Sequence, residues 1–435
     1  MFLRSLTLLS ILLFAADASI KAQGRPTQAL QSAFAALAHR DWPALAAVVH
    51  PTALESLRKE SLGLMILVAE DRRVGKQGGG YNPREVVIAD HLARVGSEQV
   101  PQFPGQPTIG QLASLPVPEF FVRWCDAVYH ADSAADPVRD VVGFQRHIFG
   151  EVTEGDSLAH VLYRRESRHV EMGELFVDLP GQVMIMPLKK VAGRWKLLLN
   201  DDIGWLVDLQ LFPEPTFPAH ELKWTTRVAT ALPPLPETPS AHAQPGPAET
   251  VRSAFSAFEH HNWETLAALV DSERLVSFQR EQLAYLVAWI NSQAARTQSA
   301  HDSIGWIMLS YADSLSAEAL AQFGGLKVAA FPGTPTIADL AQLSPAKFFS
   351  RWCDAAYEAR PEGGPAGAKT QMRRYTIGEV RETDRLAHVL YRSDQYTGVW
   401  PVDRMPLRRS ASGWGLLLND DIGWTLDFSW LLERP

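Results

Sequence analysis

The hexapeptide AHVLYR occupies residues 159–164 and recurs unchanged at residues 387–392. Side chains alternate between the two faces of an extended strand. Here the two sets are Ala159, Val161 and Tyr163, and His160, Leu162 and Arg164. One of these faces must line the core of its domain. Because the whole strand recurs later in the chain, the sequence predicts two copies of one domain.

Three other blocks recur in the same order, which identifies the repeat as a duplication. The offset between copies is 221 from Phe34 to Phe255, 228 for RWCD at residues 123–126, and 219 for LLLNDDIGW at residues 197–205. Two stretches therefore differ in length, one before RWCD and one after AHVLYR. We expect both to be surface loops, because packed elements tolerate insertions poorly.

These matches predict the order of domains along the chain. The first copy spans residues 26–211, a proline-rich linker spans residues 212–247, and the second copy spans residues 248–433. Proline-rich segments favour extended geometry and act as semi-rigid spacers. Hydrophobic residues make up 46% of the chain and charged residues 21%, a balance that lets each copy bury a core.

The first residues are typical of an export signal. Residues 1–22 combine Arg4 with an apolar run from Leu6 to Ala16 and end at the small residue Ala22. This is the pattern of a cleaved signal peptide, and the apolar run is too short to span a bilayer. We therefore expect an exported protein, periplasmic or extracellular, without a membrane span.

The negative net charge and the absence of common catalytic and metal-binding motifs argue against several classes of function. The formal net charge is -8, so we expect no basic surface of the kind that nucleic acids or anionic membranes select. The sequence contains no His-Glu-x-x-His, Cys-x-x-Cys or Gly-x-Ser-x-Gly motif. It therefore predicts no cofactor and no nucleic-acid partner.

Hydrophobic periodicity changes halfway through each copy. In the first half, Leu30, Phe34 and Leu37 recur at helical spacing, Asp41 is expected to cap a second helix, and residues 119–129 form a further helical stretch. Strand-like runs with intervening turns then follow, at residues 145–153, 158–165, 183–189 and 195–199. This order predicts an α+β domain in which an N-terminal helical layer packs on a curved antiparallel sheet.

The opening with Asp41-Trp42 and the strand meander that closes on GRWKL at residues 193–197 resemble the NTF2-like superfamily, also called cystatin-like α+β or SnoaL-like. The second copy repeats both features, and the resemblance covers most of each copy. One stretch departs from the family, because residues 60–100 have a helical pattern where an early strand pair is expected. The superfamily includes isomerases, hydratases, transport factors and dimerising modules, so the resemblance implies a fold rather than one activity.

Two matched pairs of titratable residues are catalytic candidates, His160 with Asp126 and His388 with Asp354. Histidine can act as a general base near neutral pH, and a half-buried carboxyl beside a tryptophan can have a raised pKa. The structural alternative is a histidine on the solvated face of a sheet, with the aspartate paired to a cation such as Arg123. The residue pattern favours the structural alternative.

Further candidates would bind a ligand or a metal. The arginines Arg164 and Arg392 can orient an anion, and the tryptophans Trp124 and Trp352 can stack on a ligand, although matched tryptophans are usually core anchors. The carboxylates that follow the last strand offer oxygen ligands for a hard cation: Asp201, Asp202, Asp420 and Asp421. Such side chains more often satisfy backbone amides at a turn, so we expect no metal.

The two cysteines of the chain, Cys125 and Cys353, occupy equivalent places on an apolar helix face. A nucleophilic thiol needs an electropositive setting, and a disulfide between the copies needs the two helices to meet. The pattern favours buried free thiols.

Two hypotheses of function follow. In the first, the chain is a non-enzymatic exported protein that binds a small molecule or another envelope protein, and its two NTF2-like domains pair within the chain as separate subunits of that superfamily do. In the second, it is an isomerase or hydrolase with His160 or His388 as base and Asp126 or Asp354 as its partner. The second requires His160 and Asp126 to come within hydrogen-bond reach inside one cavity.

Overall fold

The structure is a computed structural model that describes residues 24–74, 86–133, 145–166, 168–172, 175–179, 181–200, 245–295, 323–329, 331–358, 374–393 and 402–418. The predicted signal peptide and residues 212–244 of the predicted linker lie outside these residues. The chain divides into two compact units, Met1–Ala231 and Leu232–Pro435. Within the described ranges, no helix is both long enough and apolar enough to cross a membrane.

The first unit opens with helices, as the periodicity of its first half predicts. They are α1 (Pro26–Ala38), α2 (Trp42–Val48), α3 (Pro51–Val74), α4 (Ile88–Val95), α5 (Ile109–Ser114) and α6 (Val117–Ser133). The Asp41 carboxylate accepts a hydrogen bond from the Ala44 N–H at 3.0 Å. This confirms Asp41 as the cap of α2, where it satisfies an amide that has no partner within the helix.

The second half of the first unit forms an antiparallel sheet in the order β1-β2-β5-β6. The strands are β1 (Arg146–Glu154), β2 (Leu158–Arg165), β3 (Arg168–Met172), β4 (Leu175–Leu179), β5 (Gln182–Val191) and β6 (Arg194–Leu197). Among the described residues, the strands β3 and β4 form a separate two-stranded sheet. The stretch that is longer in the first copy, after AHVLYR, therefore contains a β-hairpin.

The second unit repeats this architecture. Its helices are α7 (Pro247–Glu259), α8 (Trp263–Leu269), α9 (Ser272–Ala295), α10 (Ile337–Ala341) and α11 (Pro345–Glu358). Its strands β7 (Arg374–Arg381), β8 (Leu386–Ser393), β9 (Asp403–Ser410) and β10 (Gly413–Leu416) form a second antiparallel sheet in that order. The α+β class is therefore confirmed, with one four-stranded sheet in each unit.

The strand that carries AHVLYR lies inside the sheet, and one of its faces covers the helical core. Ala159, Val161 and Tyr163 are fully buried there with residues of the helices. The Tyr163 ring meets the Phe34 ring edge-on at a centroid distance of 5.0 Å. The interior behind this face is filled by aromatic packing, such as Trp124 against Phe120 at 5.8 Å. We call this side of each sheet the inner face and the opposite side the outer face.

The last strand of each sheet also lies against the start of the long helix. In the second unit the Asp271 N–H donates to the Leu416 carbonyl at 2.9 Å. A Cβ atom at residue 415 would lie only 2.9 Å from Asp271 Cα. In the second unit, a side chain at this position would therefore force one of the two closely approaching backbones to shift.

We expect Gly415→Ala to lower the free energy of unfolding of the second unit by about 1–3 kcal/mol, the usual cost of overpacking. Chemical denaturation of the full chain measures it. Lys196→Ala is the matched control, because Lys196 occupies the corresponding position of the first unit and already carries a Cβ atom. Unchanged stability of Gly415→Ala would contradict the close approach.

Candidate functional site

The outer face of the first sheet holds a buried histidine that is paired with a glutamate. His160 is fully buried, and its Nε2 atom lies 3.1 Å from Oε2 of Glu154 at the end of β1. The expectation of a solvated histidine was therefore wrong. A buried imidazole needs a hydrogen-bonding partner because it has lost water, and Glu154 provides one.

The second unit has the same pair in a tighter form. His388 is 3% exposed, and its Nε2 atom lies 2.7 Å from Oε2 of Glu382. Nη1 of Arg404 lies 3.4 Å from Nδ1 of the same histidine. The corresponding residue of the first unit is Ile185, since each lies opposite the leucine of AHVLYR. Both copies therefore keep the His–Glu pair, but the position of Arg404 in the second unit is occupied by Ile185 in the first.

Neither glutamate is among the site residues that the sequence predicts, although each precedes its histidine by six residues and this spacing is the same in both copies. The residues Glu154-Gly155-Asp156 predict a turn between two strands, and Gly155 has a positive φ of 64° there. Only the pairing of β1 with β2 shows that the carboxylate turns back onto the imidazole.

The histidine and the aspartate of the catalytic hypothesis lie on different sides of the sheet. His160 belongs to the outer face, whereas Asp126 lies on α6, whose buried residues join the core of the inner face. Asp354 is likewise on a helix and is exposed. The structure thus places a glutamate, rather than the expected aspartate, beside each histidine.

The candidate ligand-binding residues have different surroundings. Trp124 and Trp352 are 1% and 0% exposed and pack in aromatic clusters, as the structural alternative predicts for core anchors. Arg164 is half-buried and Arg392 is buried, both on the outer faces of their sheets. Neither tryptophan offers a surface on which a ligand can stack.

The turn after the last strand is partly described. Leu199 and Leu418 adopt positive φ values of 62° and 55°, which confirms a sharp turn at this point in both units. The Asn200 amide donates to Tyr163 Oη and to the Ile185 carbonyl, each at 2.9 Å. It thereby ties the turn to the sheet.

The metal candidates of this turn cannot be placed in the fold. Asp201, Asp202, Asp420 and Asp421 all lie outside the described residues. In the part of the chain that the structure describes, no three His, Cys, Asp or Glu side chains come together as a metal site would require.

Both thiols are free and buried, on α6 and α11. Burial raises the pKa of the Cys125 thiol, and it raises that of Cys353 in the same way. A thiol held in its neutral form is a poor nucleophile. The cysteines therefore act as small core residues.

A cleft of about 160 Å³ lies in the first unit between α3 and residues 98–102. Its floor consists of apolar side chains that are nearly buried: Met65, Val68, Ala69, Val100 and Ile109. The exposed side chains of Arg72 and Arg73 line the cleft together with the exposed carboxylate of Glu98 and the polar side chains of Gln99 and Gln102. Arg72 and Arg73 lie outside the repeated blocks, so the comparison of the two copies did not reveal them.

One wall of the cleft is fixed by ionic hydrogen bonds between α3 and α4. Oε1 of Glu70 lies 2.8 Å from Nδ1 of His91 and 2.8 Å from Nη2 of Arg94. Hydrogen bonds from His91 and Arg94 lower the pKa of Glu70. The Arg73 guanidinium also donates to the Arg94 carbonyl at 2.6 Å. These hydrogen bonds fix the position of α3, which forms one wall of the cleft, relative to α4.

Comparison with known proteins gives no relative to guide the assignment. No protein-family model, curated protein or solved structure matches the chain. The function must therefore be inferred from the residues themselves.

The two His–Glu pairs should contribute unequally to stability. Glu382 is closer to its histidine than Glu154 is, and its side chain is 12% rather than 30% exposed. Hydrogen bonds to charged groups contribute more where water is excluded. We expect Glu382→Gln to cost about 1–3 kcal/mol and Glu154→Gln to cost less. Hydrogen exchange measured separately for each unit tests this, and equal losses would contradict it.

Proposed function

We propose that this chain is an exported, non-enzymatic binding protein with two NTF2-like domains, and that its first unit binds a small organic anion in the cleft beside α3. The observation that carries the proposal is the chemistry of that cleft, an apolar floor lined also by two arginines and one glutamate, Glu98, so that the cations outnumber the carboxylate. Ligand sites typically combine a mostly apolar surface with a few polar groups that fix orientation.

The dimensions of the cleft limit the ligand. A dry cavity of about 150 Å³ is enough to hold benzene, so a cleft of about 160 Å³ suits a body of that size. A carboxylate on such a body would meet the guanidinium of Arg72 at the opening. Arginine pairs with carboxylates through two parallel hydrogen bonds, which adds specificity for a planar anion. The proposed ligand class is therefore the small aromatic or short-chain carboxylates.

The placement of the repeated polar residues supports a non-enzymatic role. A general base must reach its substrate, yet His160 is fully buried and His388 is 3% exposed. Each is already engaged by a glutamate from the neighbouring strand end. Retention of the pair in both copies is explained by the need to satisfy a buried imidazole.

Binding should depend on the anionic group and on Arg72. We expect benzoate to bind more tightly than benzyl alcohol, and benzylamine to bind least, in calorimetric titrations of the full-length mature protein. Arg72→Gln should weaken benzoate about tenfold or more, because it removes a charge-assisted contact. Arg280→Gln, an exposed arginine on α9 of the second unit, is the control and should leave binding unchanged.

Two results would overturn the cleft proposal. One is equal affinity for benzoate, benzyl alcohol and benzylamine, which would show that the arginines do not select an anionic group. The other is benzoate binding that is unaffected by Arg72→Gln. If neither result occurs, mass spectrometry of molecules released from natively purified protein identifies the natural ligand.

The proposal includes pairing of the two domains within one chain. It rests on the sequence, in which a duplicated domain of this type is joined to its copy by a proline-rich spacer at residues 212–247. Solution scattering and NMR relaxation should report one particle that tumbles as a unit. Independent tumbling of the two domains would contradict the pairing.

A further inference from the structure

Cations cluster on the outer face of the first sheet, at its β6 edge. Lys189 and Lys196 lie directly opposite each other on β5 and β6, so their side chains share one face. Arg194 lies two residues before Lys196 on the same strand, and therefore on the same side. Like charges placed opposite each other destabilise a sheet. No ion pair between described residues involves any of these three side chains.

His50 adjoins this cluster at the start of α3. It is 7% exposed, and its N–H donates to the Leu197 carbonyl at 2.7 Å. Its Nδ1 atom accepts from the Thr52 N–H at 3.2 Å. Since Nδ1 accepts, the ring proton of the neutral imidazole is on Nε2, which is a donor. His50 therefore adds a hydrogen-bond donor beside the two lysines.

The electrostatic environment agrees with this arrangement. Burial, and then the charges of Lys189 and Lys196, lower the pKa of His50. Burial and the charge of Arg194 lower the pKa of Lys196, whose ammonium group also donates to the Ala47 carbonyl. The protein thus holds cations together at a cost that an anion would offset.

At the equivalent position of the second unit, an arginine is neutralised by two carboxylates. Asp271 replaces His50, and its Oδ1 atom accepts from Nη2 of Arg408 at 2.6 Å. Glu273 replaces Thr52 and accepts from Nη1 of the same arginine at 2.6 Å. Gly415 stands where the first unit has Lys196. The second unit therefore has an ion-pair network at this position, whereas the first unit has the cations but lacks the two carboxylates.

We propose that His50, Lys189 and Lys196 form an oxyanion-binding site on the first unit, which takes a doubly charged phosphate- or sulfate-type group of a small soluble molecule. The site is separate from the cleft beside α3 and does not depend on the function proposed for it. Two ammonium groups and an imidazole N–H would supply charge-assisted and neutral hydrogen bonds to such an anion.

The test uses the full-length mature protein with inorganic phosphate and sulfate as probes and chloride at equal ionic strength as control. Binding is followed by the NMR signals of the His50 ring. We expect phosphate and sulfate, but not chloride, to raise the pKa of His50, because a bound anion stabilises the imidazolium. Lys196→Gln should weaken phosphate binding about tenfold.

A matched pair of variants separates the site from general charge effects. The double variant His50→Asp, Thr52→Glu gives the first unit the carboxylates of the second and should abolish binding, while Asp still caps α3. Lys190→Gln removes a neighbouring cation that lies opposite Trp195 and should leave binding nearly unchanged. Circular dichroism checks that each variant is folded.

Three outcomes would overturn the proposal. The first is the absence of any response to millimolar phosphate. The second is a response that chloride reproduces or that the double variant retains, since either would reflect screening rather than a site. The third is binding to phosphatidylglycerol vesicles without a response to inorganic phosphate, which would identify a membrane surface instead of a small anion.

Discussion

The strand that carries AHVLYR is buried on both faces in each unit, and the rest of the domain follows from that constraint. Its inner side chains fill the space under the helices, where Tyr163 packs edge-on against Phe34. Its outer side chains are also removed from water, including the imidazole of His160. A buried imidazole without a partner would cost free energy. The neighbouring strand β1 supplies Glu154 as this partner. The register of β1 against β2 is therefore linked to the hydrogen bond of His160.

Comparison of the two units separates structural from functional positions. The aromatic core and the His–Glu pairs are the same in both units, and the second helices are capped at equivalent positions by Asp41 and Asn262. Each of these features satisfies a packing or hydrogen-bonding requirement. The junction between the last strand and the long helix differs, with His50 and Lys196 in one unit and Asp271 and Gly415 in the other. Because the backbone hydrogen bond at this junction is kept in both units, the changed side chains are free to serve different purposes.

This division changes how a duplicated protein is searched for function. Repeated motifs draw attention first, yet here they explain the fold. The candidate binding residues lie where the copies diverge, as at the cation cluster, or outside the repeated blocks, as do Arg72 and Arg73 of the cleft. A site that only one copy needs is under no pressure to appear twice.

The sequence by itself determined the duplication, the α+β class, the cap at Asp41 and the four strands of the first sheet. These follow from local periodicity and turn chemistry, which act over a few residues. It also identified Cys125 and Cys353 as buried free thiols, because their neighbours on the helix are apolar.

Only the tertiary structure decided which side chains meet. His160 was assigned to a solvated face because alternation gives the two faces of a strand but does not tell whether the second face is covered. The sequence pattern suggests Asp126 as its partner, whereas strand pairing supplies Glu154 from the other end of a turn. The net charge of -8 does not reveal the cation cluster because it is a sum over the whole chain, while Lys189, Lys196 and His50 become neighbours only where β5, β6 and the start of α3 meet.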